Sequence, residues 1–374
     1  MADECLYNLA ISFLSGVGDV NSKKLISYFG SAKNVFNASL SDLKKISGIG
    51  DSTALKLYNS FSQALNLAEE ELAYIYANDI NFVTFCDENY PVRLRECSDS
   101  PMVLYYKGNP DFNSEKIISI VGTRKASNYG IDTCAKLIAD ISKKFPEAVI
   151  ISGLAFGIDI VAHKEALNNG LKTWAILGHS LENIYPSKHK GTAQKIVSSG
   201  GAIISDYYHG SRIDATNFLK RNRIVAGLCD AVIIIESDKK GGSIVTANIA
   251  NHYNKDVFAV PGNVNLTNSA GCNNLIKTNR AHLLDCADDL EYIMNWKTET
   301  SSKNQQKTLS LIAELNENEE IVVNILKNYD YLDIDNISRQ ANLSSDILSL
   351  CLLELEFKNI VKALPGKIFC LKIK

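Results

Sequence analysis

Three short turns, each closing an apolar run, carry residues that could hold an anion. Gly122-Thr123-Arg124 follows Ile117–Val121. Ser152-Gly153 follows Ala148–Ile151 and opens Leu154-Ala155-Phe156-Gly157-Ile158-Asp159. Gly241-Gly242-Ser243 follows Ala231–Glu236 and leads into a helix through Thr246. In an open parallel sheet, ligands sit beyond the carboxyl ends of the strands. There a residue without a Cβ lets the backbone approach closely, and N–H groups at a helix start face an anion. Three such turns on one edge would make a polyphosphate-sized cradle, whereas a single glycine turn is common in α/β proteins. No Gly-x-x-x-x-Gly-Lys-Ser/Thr string occurs, and Gly153-x-x-x-Gly157 lacks the spacing of a dinucleotide fingerprint, so hydride chemistry is disfavoured.

A second constellation is Asn217-Phe218-Leu219-Lys220-Arg221-Asn222-Arg223, three cations beside an aromatic at the start of the apolar helix Ile224–Leu228. Read as plain structure, it is a solvated, charged helix start. Cations there oppose the helix dipole, an objection that an anionic partner removes. Read as a binding site, the arginine forks grip phosphate. Phe218 then stacks on an unpaired base, worth roughly 1–3 kcal/mol. Duplex bases are already stacked, so the pairing favours single strands. Asp159 and His163 stand at i and i+4 and could share a helix face. No nucleophile or third partner accompanies them. Asp159 is therefore read as a helix-start residue and His163 as a packing residue bonded to it. No catalytic residue, metal site or cofactor is expected.

The elements that must position these residues follow from periodicity. Residues 81–296 alternate short apolar runs (Ile117–Val121, Ala148–Ser152, Thr173–Leu177, Ala202–Ser205, Ala231–Glu236 and Asp256–Val260) with helical spacers, which predicts βαβ units and a parallel sheet. Phe82–Phe85 and Val103–Tyr106 extend it. Residues 1–80 read as helical, with Ser15-Gly16-Val17-Gly18-Asp19 echoed by Ser47-Gly48-Ile49-Gly50-Asp51, a pattern similar to paired helix-hairpin-helix motifs. Such hairpins can cup a phosphate, but Asp19 and Asp51 would repel one. Residues 297–312 read as a linker. Residues 313–374 read as three helices and a hairpin (Asn359–Leu364, a Pro365-Gly366 turn, Lys367–Ile373), the outline of a winged helix. Its expected recognition helix, Ser344–Phe357, has three carboxylates and no cation, so it is expected to pack or to meet protein rather than a phosphate field. Lys362 and Lys367 on the wing could touch DNA weakly.

The net charge of −3 means that positive charge for a polyanion must be concentrated on one face. No apolar run reaches membrane-span length, and the Met-Ala-Asp-Glu start lacks the pattern of a secretory leader. Nine scattered cysteines without a Cys-x-x-Cys pair read as reduced thiols of a cytoplasmic protein.

In the order of these strings the chain resembles the DprA (Smf) family of bacterial DNA-processing proteins. The likeness runs through residues 81–296: Val121–Arg124, Ser152–Asp159 with His163, Tyr185-Pro186, Phe218 with Arg221–Leu228, Gly242-Ser243 with Thr246-Ala247, Val260–Asn263 and Gly271–Ile276. It implies an extended Rossmann-like, mostly parallel sheet with a helical module before it and a winged helix after it. It implies single-stranded DNA binding without sequence preference, homodimerisation, and loading of a RecA-type recombinase during natural transformation. Carried over by motif, Arg124 holds a backbone phosphate, Arg221 and Arg223 line the same pocket, and Phe218 meets the bases. Ser152, Gly153, Gly241, Gly242, Ser243 and Thr246 supply small-residue and backbone donors, with Gly122, Thr123 and Asn222 beside them. Relatives often place a cation directly after the Tyr-Pro dipeptide; here Ser187 stands there, and Lys188 is the cation that could replace it.

Two other functions compete. A nucleotide phosphoribohydrolase of the lysine-decarboxylase-like group shares a related core, but the stretch Lys240–Ile249 lacks that group's glutamate. A scaffold whose pocket takes a small nucleotide regulator is the other.

Overall fold

The computed structural model describes residues 2–296, 315–329, 331–358, 360–364 and 366–371. They form two compact units, residues 1–296 and 297–374.

The first unit opens with six helices: α1 (Ala2–Ala10), α2 (Asp19–Phe29), α3 (Ala32–Phe36), α4 (Leu40–Leu43), α5 (Asp51–Asn59) and α6 (Phe61–Ala77). The repeated Gly-x-Gly turns make the hairpins ahead of α2 and α5. Gly16 and Gly48 take positive φ (77° and 86°), which glycine adopts without a steric penalty. The apolar faces of these helices close around Leu9, Leu25, Leu57 and Ala64. The same core continues onto Met102, Tyr105, Leu177 and Ile203 of the following sheet.

That sheet has nine strands: β1 (Asn81–Thr84), β2 (Val103–Gly108), β3 (Ile117–Val121), β4 (Val149–Ser152), β5 (Lys172–Ile176), β6 (Ala202–Ser205), β7 (Ala231–Ile234), β8 (Asp256–Ala259) and β9 (His282–Leu283). Their spatial order is β1-β2-β6-β5-β4-β3-β7-β8-β9. From β6 to β9 neighbours run parallel, and β2 joins β1 and β6 antiparallel. β3, β4, β6 and β7 are buried along their whole length, as a sheet covered on both faces requires. After the short α7 (Val92–Arg95), one face carries α8 (Asn128–Lys144) and α9 (Ile158–Asn168) over Ile118, Ile120 and Ile233. After α10 (Lys190–Ser198) and α11 (Ala215–Lys220) in the chain, the other face carries α12 (Asn222–Gly227) and α13 (Gly242–His252) over Val121, Val232 and Ile234. The chain winds outward from β3 through β4, β5 and β6, then returns to place β7 on the other side of β3. The switch point of the topology is therefore the β3/β7 boundary.

The second unit contains helices Glu317–Leu326, Ile334–Ala341 and Ser345–Phe357, and a three-stranded sheet. Its strands β10 (Leu332–Asp333), β11 (Val361–Leu364) and β12 (Ile368–Leu371) are ordered β10-β12-β11. A capping box fixes the first helix, with Asn316 and Glu319 each bonding the other's backbone N–H. Three helices and a β-wing make this a winged-helix domain. The expected linker, residues 297–312, and the wing residues Asn359, Pro365 and Ile373 lie outside the described residues. Helix Ser345–Phe357 buries Leu348, Cys351, Leu352 and Leu355, and leaves Ile347, Leu350, Leu353 and Phe357 exposed.

Candidate nucleic-acid interface

A cavity of about 330 Å³ opens at the switch point, beyond the carboxyl ends of β3 and β7. Ten residues singled out in the sequence line it: Gly122, Thr123, Arg124, Phe218, Arg221, Asn222, Gly241, Gly242, Ser243 and Thr246. The three turns do not contribute equally, because two of their helix starts are already occupied by the protein's own carboxylates. Buried Glu236, just after β7, accepts from Ser127 N (2.9 Å) and Ser127 Oγ (2.5 Å) at the N-cap of α8. Asp159, in the first turn of α9, is buried and takes backbone donors from Ala155 and Gly153. α13 differs. Its N-cap Gly241 makes no side-chain cap, and its first turn holds no acid. Its positive end therefore stays open to an anion. Asn222 Nδ2 donates to Gly242 O at 3.5 Å, and Ser243 Oγ to Ser237 Oγ at 2.8 Å, fixing this turn.

The first turn is held by backbone. Thr123 N donates to Glu236 O (2.8 Å), and Ile158 N donates to Thr123 O (3.2 Å). Gly157 lies against the Thr123 and Arg124 main chain at φ 77°, where a Cβ would collide. Arg124 is thus carried outward on a tight loop. It is exposed, and among the described residues no carboxylate pairs with it. Its Cζ stands 5.9 Å from the Phe218 ring centroid, within cation–π range.

Phe218 sits on α11 (Ala215–Lys220), whose N-cap Asp214 accepts from Thr216 N at 2.7 Å. A Cβ at Gly178 would come within 3.0–3.2 Å of Phe218, so the glycine admits this ring. Tyr185 lies 5.7 Å from Phe218, centroid to centroid. His179 holds the Tyr185 backbone, accepting its N–H at Nε2 (3.3 Å) while Nδ1 meets Ser180 O (2.8 Å). Burial lowers the pKa of His179, favouring the neutral imidazole that this acceptor role needs.

The cation cluster divides. Arg221 is 4 % exposed and forms the wall beneath the cavity. Its Nη1 donates to Gly153 O (2.8 Å) and Ile176 O. Burial pulls its pKa down, and Asp159 opposes the shift; Asp159 is pushed up by burial and held back chiefly by Arg221. Among the described residues, Arg221 Nε has no hydrogen-bond partner. Arg223 does not line the pocket, which corrects the expectation from the motif. Its guanidinium donates to Asp19 Oδ2 (3.0 Å), Asp206 Oδ2 (2.8 Å) and Asp99 O. Burial works against its charge, but Asp206 and Asp19 outweigh it and raise its pKa. Asp19 also accepts from Met102 N (3.0 Å), so this carboxylate docks the first hairpin onto the sheet domain.

Three other expected residues stand outside the cavity lining. Ser152 is buried and donates to Ile120 O (2.6 Å), Gly153 lies behind Arg221, and Lys188 is exposed in the turn after Tyr185-Pro186. A Cβ on Gly153 would be 2.5 Å from both Arg221 Nη2 and Asp159 Oδ2. The expected Asp159–His163 bond is also corrected. His163 Nδ1 pairs with Thr173 Oγ1 (2.7 Å), which donates to Ile150 O (2.7 Å), and burial pushes His163 down to about 3. Tyr185, legible in the sequence only as part of the Tyr185-Pro186 string, stands beside Phe218, and Asp238 and the exposed Lys125, Lys239 and Lys240 on the same turns had no part in the sequence reading of the site. The signal for the lysines was their adjacency to Arg124 and Gly241.

A doubly wound sheet whose switch point carries an uncapped helix start, an aromatic, and an arginine without a carboxylate partner among the described residues defines a Rossmann-like fold. The profile of DNA recombination-mediator protein A matches residues 81–295, that of the DprA winged helix domain residues 306–367, and that of the SAM-like helix-hairpin-helix tandem residues 9–63. The chain belongs to the DNA recombination-mediator protein A (DprA/Smf) family. It is 39% identical over 191 residues to the DNA processing protein DprA of Streptococcus pneumoniae, a match spanning 51% of this chain and 66% of that relative, just under two thirds of its length. The X-ray structure of DNA processing protein A from the same species superposes with TM-score 0.65 and 32% identity over 76% of this chain and 96% of that one. A structure of DNA processing protein A from Helicobacter pylori, described for its single-stranded DNA binding mode, superposes with TM-score 0.51 and 30% identity over 57% of this chain and 95% of that one.

Proposed function

We propose that this protein binds single-stranded DNA without sequence preference along the rim above β3 and β7, protects it, and passes it to a RecA-type recombinase as a cytoplasmic homodimer. The observation that carries the binding is Arg124. It is an exposed guanidinium with no carboxylate partner among the described residues, 5.9 Å from the Phe218 ring, at the mouth of a cavity walled by the open start of α13. A phosphate between Arg124 and that helix start would receive a forked donor pair and backbone N–H groups. The adjacent base would meet Phe218. Neither contact reads base edges, so binding is blind to sequence. The Helicobacter relative's single-stranded DNA binding supports the ligand, and the family's description as a recombination mediator supports the recombinase role.

Hydrolysis of a nucleotide would need a carboxylate free to act on a ribose. Asp159 on the cavity wall is buried and tied to backbone donors, and Glu236 is bound to Ser127; the exposed Asp238 on the lining accepts from Lys239 N (2.5 Å) and is the carboxylate that an assay for base release from a mononucleotide would test. The test is titration of oligonucleotides of several unrelated sequences into the protein over a range of salt. Equal affinities that fall together with salt support the reading. A strong preference for one sequence, or competition by a mononucleotide at equal concentration, overturns it.

A further inference from the structure

We propose that Phe156 and Tyr185 extend the Phe218 shelf into a second stacking platform, which holds further unpaired bases of the same strand. The inference rests on the single-strand reading above and adds subsites to it.

Single exposed aromatics need no explanation. Here two exposed rings, Phe156 and Tyr185, stand on linked turns with the half-buried Phe218 next to Tyr185, and each is fixed from behind. Phe156 is 43% exposed and Tyr185 52% exposed. Phe156 lies in the tight loop between β4 and α9, immediately before Gly157, whose backbone packs on Thr123 and Arg124. Its ring meets the edge of His189 at 5.0 Å. His189 is buried. It bonds Leu154 O through Nδ1 (2.7 Å) and Pro186 O through its backbone N–H (2.9 Å). The loop bearing Phe156 and the turn bearing Tyr185 are therefore joined through one residue, His189, by its imidazole on one side and its backbone N–H on the other. On the other side, Tyr185 is pinned by His179 and stands 5.7 Å from Phe218. Phe156 thus adjoins His189, and Tyr185 adjoins Phe218, which lines the cavity.

The occupant follows from charge and continuity. Arg124 and Lys125 lie beside the platform on the first turn, and Lys188 and Lys190 on the turn after Tyr185; Arg124, Lys125, Lys188 and Lys190 are all exposed. Rigid rings bordered by cations suit flat bases on an anionic backbone. Rings already held in place lose little freedom on stacking.

The test uses the full chain, a short oligothymidylate, and the same strand with abasic sites. Phe156→Ala and Tyr185→Ala are each expected to weaken oligothymidylate binding by about 10-fold at both low and high salt, the size of one lost stacking contact. Neither should affect binding of the abasic strand, and Phe156→Trp should retain the wild-type affinity. A change below about twofold for Phe156→Ala and Tyr185→Ala, with Arg124→Ala and Phe218→Ala still weakening binding, would end the shelf at Phe218 and leave the single-strand reading standing. An equal loss on the abasic strand would also refute stacking. If the wild-type protein binds neither strand, the platform and the reading beneath it fall together. Melting curves check that these exposed substitutions leave the fold intact.

Discussion

Arg223 and Asp19 stand 204 residues apart in sequence and 3.0 Å apart in space, so the helical module and the sheet domain share a partly buried ion pair. The same guanidinium holds Asp206, whose side chain is 8% exposed. Removing one partner of such a pair strands the other charge in a poor solvent. Arg223→Ala should therefore lower unfolding free energy by about 3–5 kcal/mol, read from urea midpoints. A loss of oligonucleotide affinity at unchanged stability would return Arg223 to the binding site.

Arg124 makes the opposite prediction. It is exposed and has no carboxylate partner among the described residues, so Arg124→Ala should move stability by no more than about 0.5 kcal/mol. The same substitution should weaken every single-stranded sequence alike and lower the slope of log affinity against log salt by about one. Unequal losses among sequences would contradict backbone recognition.

Two glycines separate folding from binding. Gly157, at φ 77° against the Thr123 carbonyl, has no room for a methyl group, so Gly157→Ala should cost more than about 2 kcal/mol and displace the Arg124 loop. Gly242 has open space around its Cβ position at the start of α13. Gly242→Ala should fold as the wild type does and bind the oligonucleotide more weakly, because its methyl group stands where a phosphate would approach. Thermal midpoints and affinities of the two variants, measured side by side, check both statements.

His163 sets an acid limit. Its folded pKa, about 3, lies below the ordinary 6.5, so the unfolded chain binds the proton more readily. The stability that depends on neutral His163 is complete above 6.5 and is lost as pH falls from there toward 3. Each pH unit within that window removes about 1.4 kcal/mol from this site. Urea midpoints between pH 7.5 and pH 4.5 should fall, and His163→Gln should flatten the dependence. An equally steep fall in the variant would assign the effect to other groups.

Much of the fold was legible because buried parallel strands read as unbroken apolar runs; β3, β4, β6 and β7 are buried from end to end. β9 was not legible: it has two residues, both exposed, and no run to mark it. At the site, the turns around Gly122 and Gly241 could be read locally, since their chemistry lies in consecutive residues. The arginines could not. Arg221 and Arg223 are two positions apart on helical backbone and point to different surroundings. Their partners, Gly153, Ile176, Asp19 and Asp206, come from distant parts of the chain. Asp19 looked like a residue that repels phosphate because Arg223 was invisible beside it. Glu236 at the α8 start escaped notice for the same reason, lying 109 residues from Ser127.

In the proposed complex an unpaired strand lies across Arg124 and Phe218 with its bases free to stack. The direct measurement is the affinity of the full-length protein, wild type and Phe218→Ala, for one oligonucleotide presented single-stranded and then annealed to its complement. The single strand should bind much more tightly, with Phe218→Ala costing roughly 1–3 kcal/mol on that strand alone and the loss persisting at high salt. Equal affinity for both forms, or a Phe218→Ala effect that vanishes as salt rises, would contradict this mode of binding.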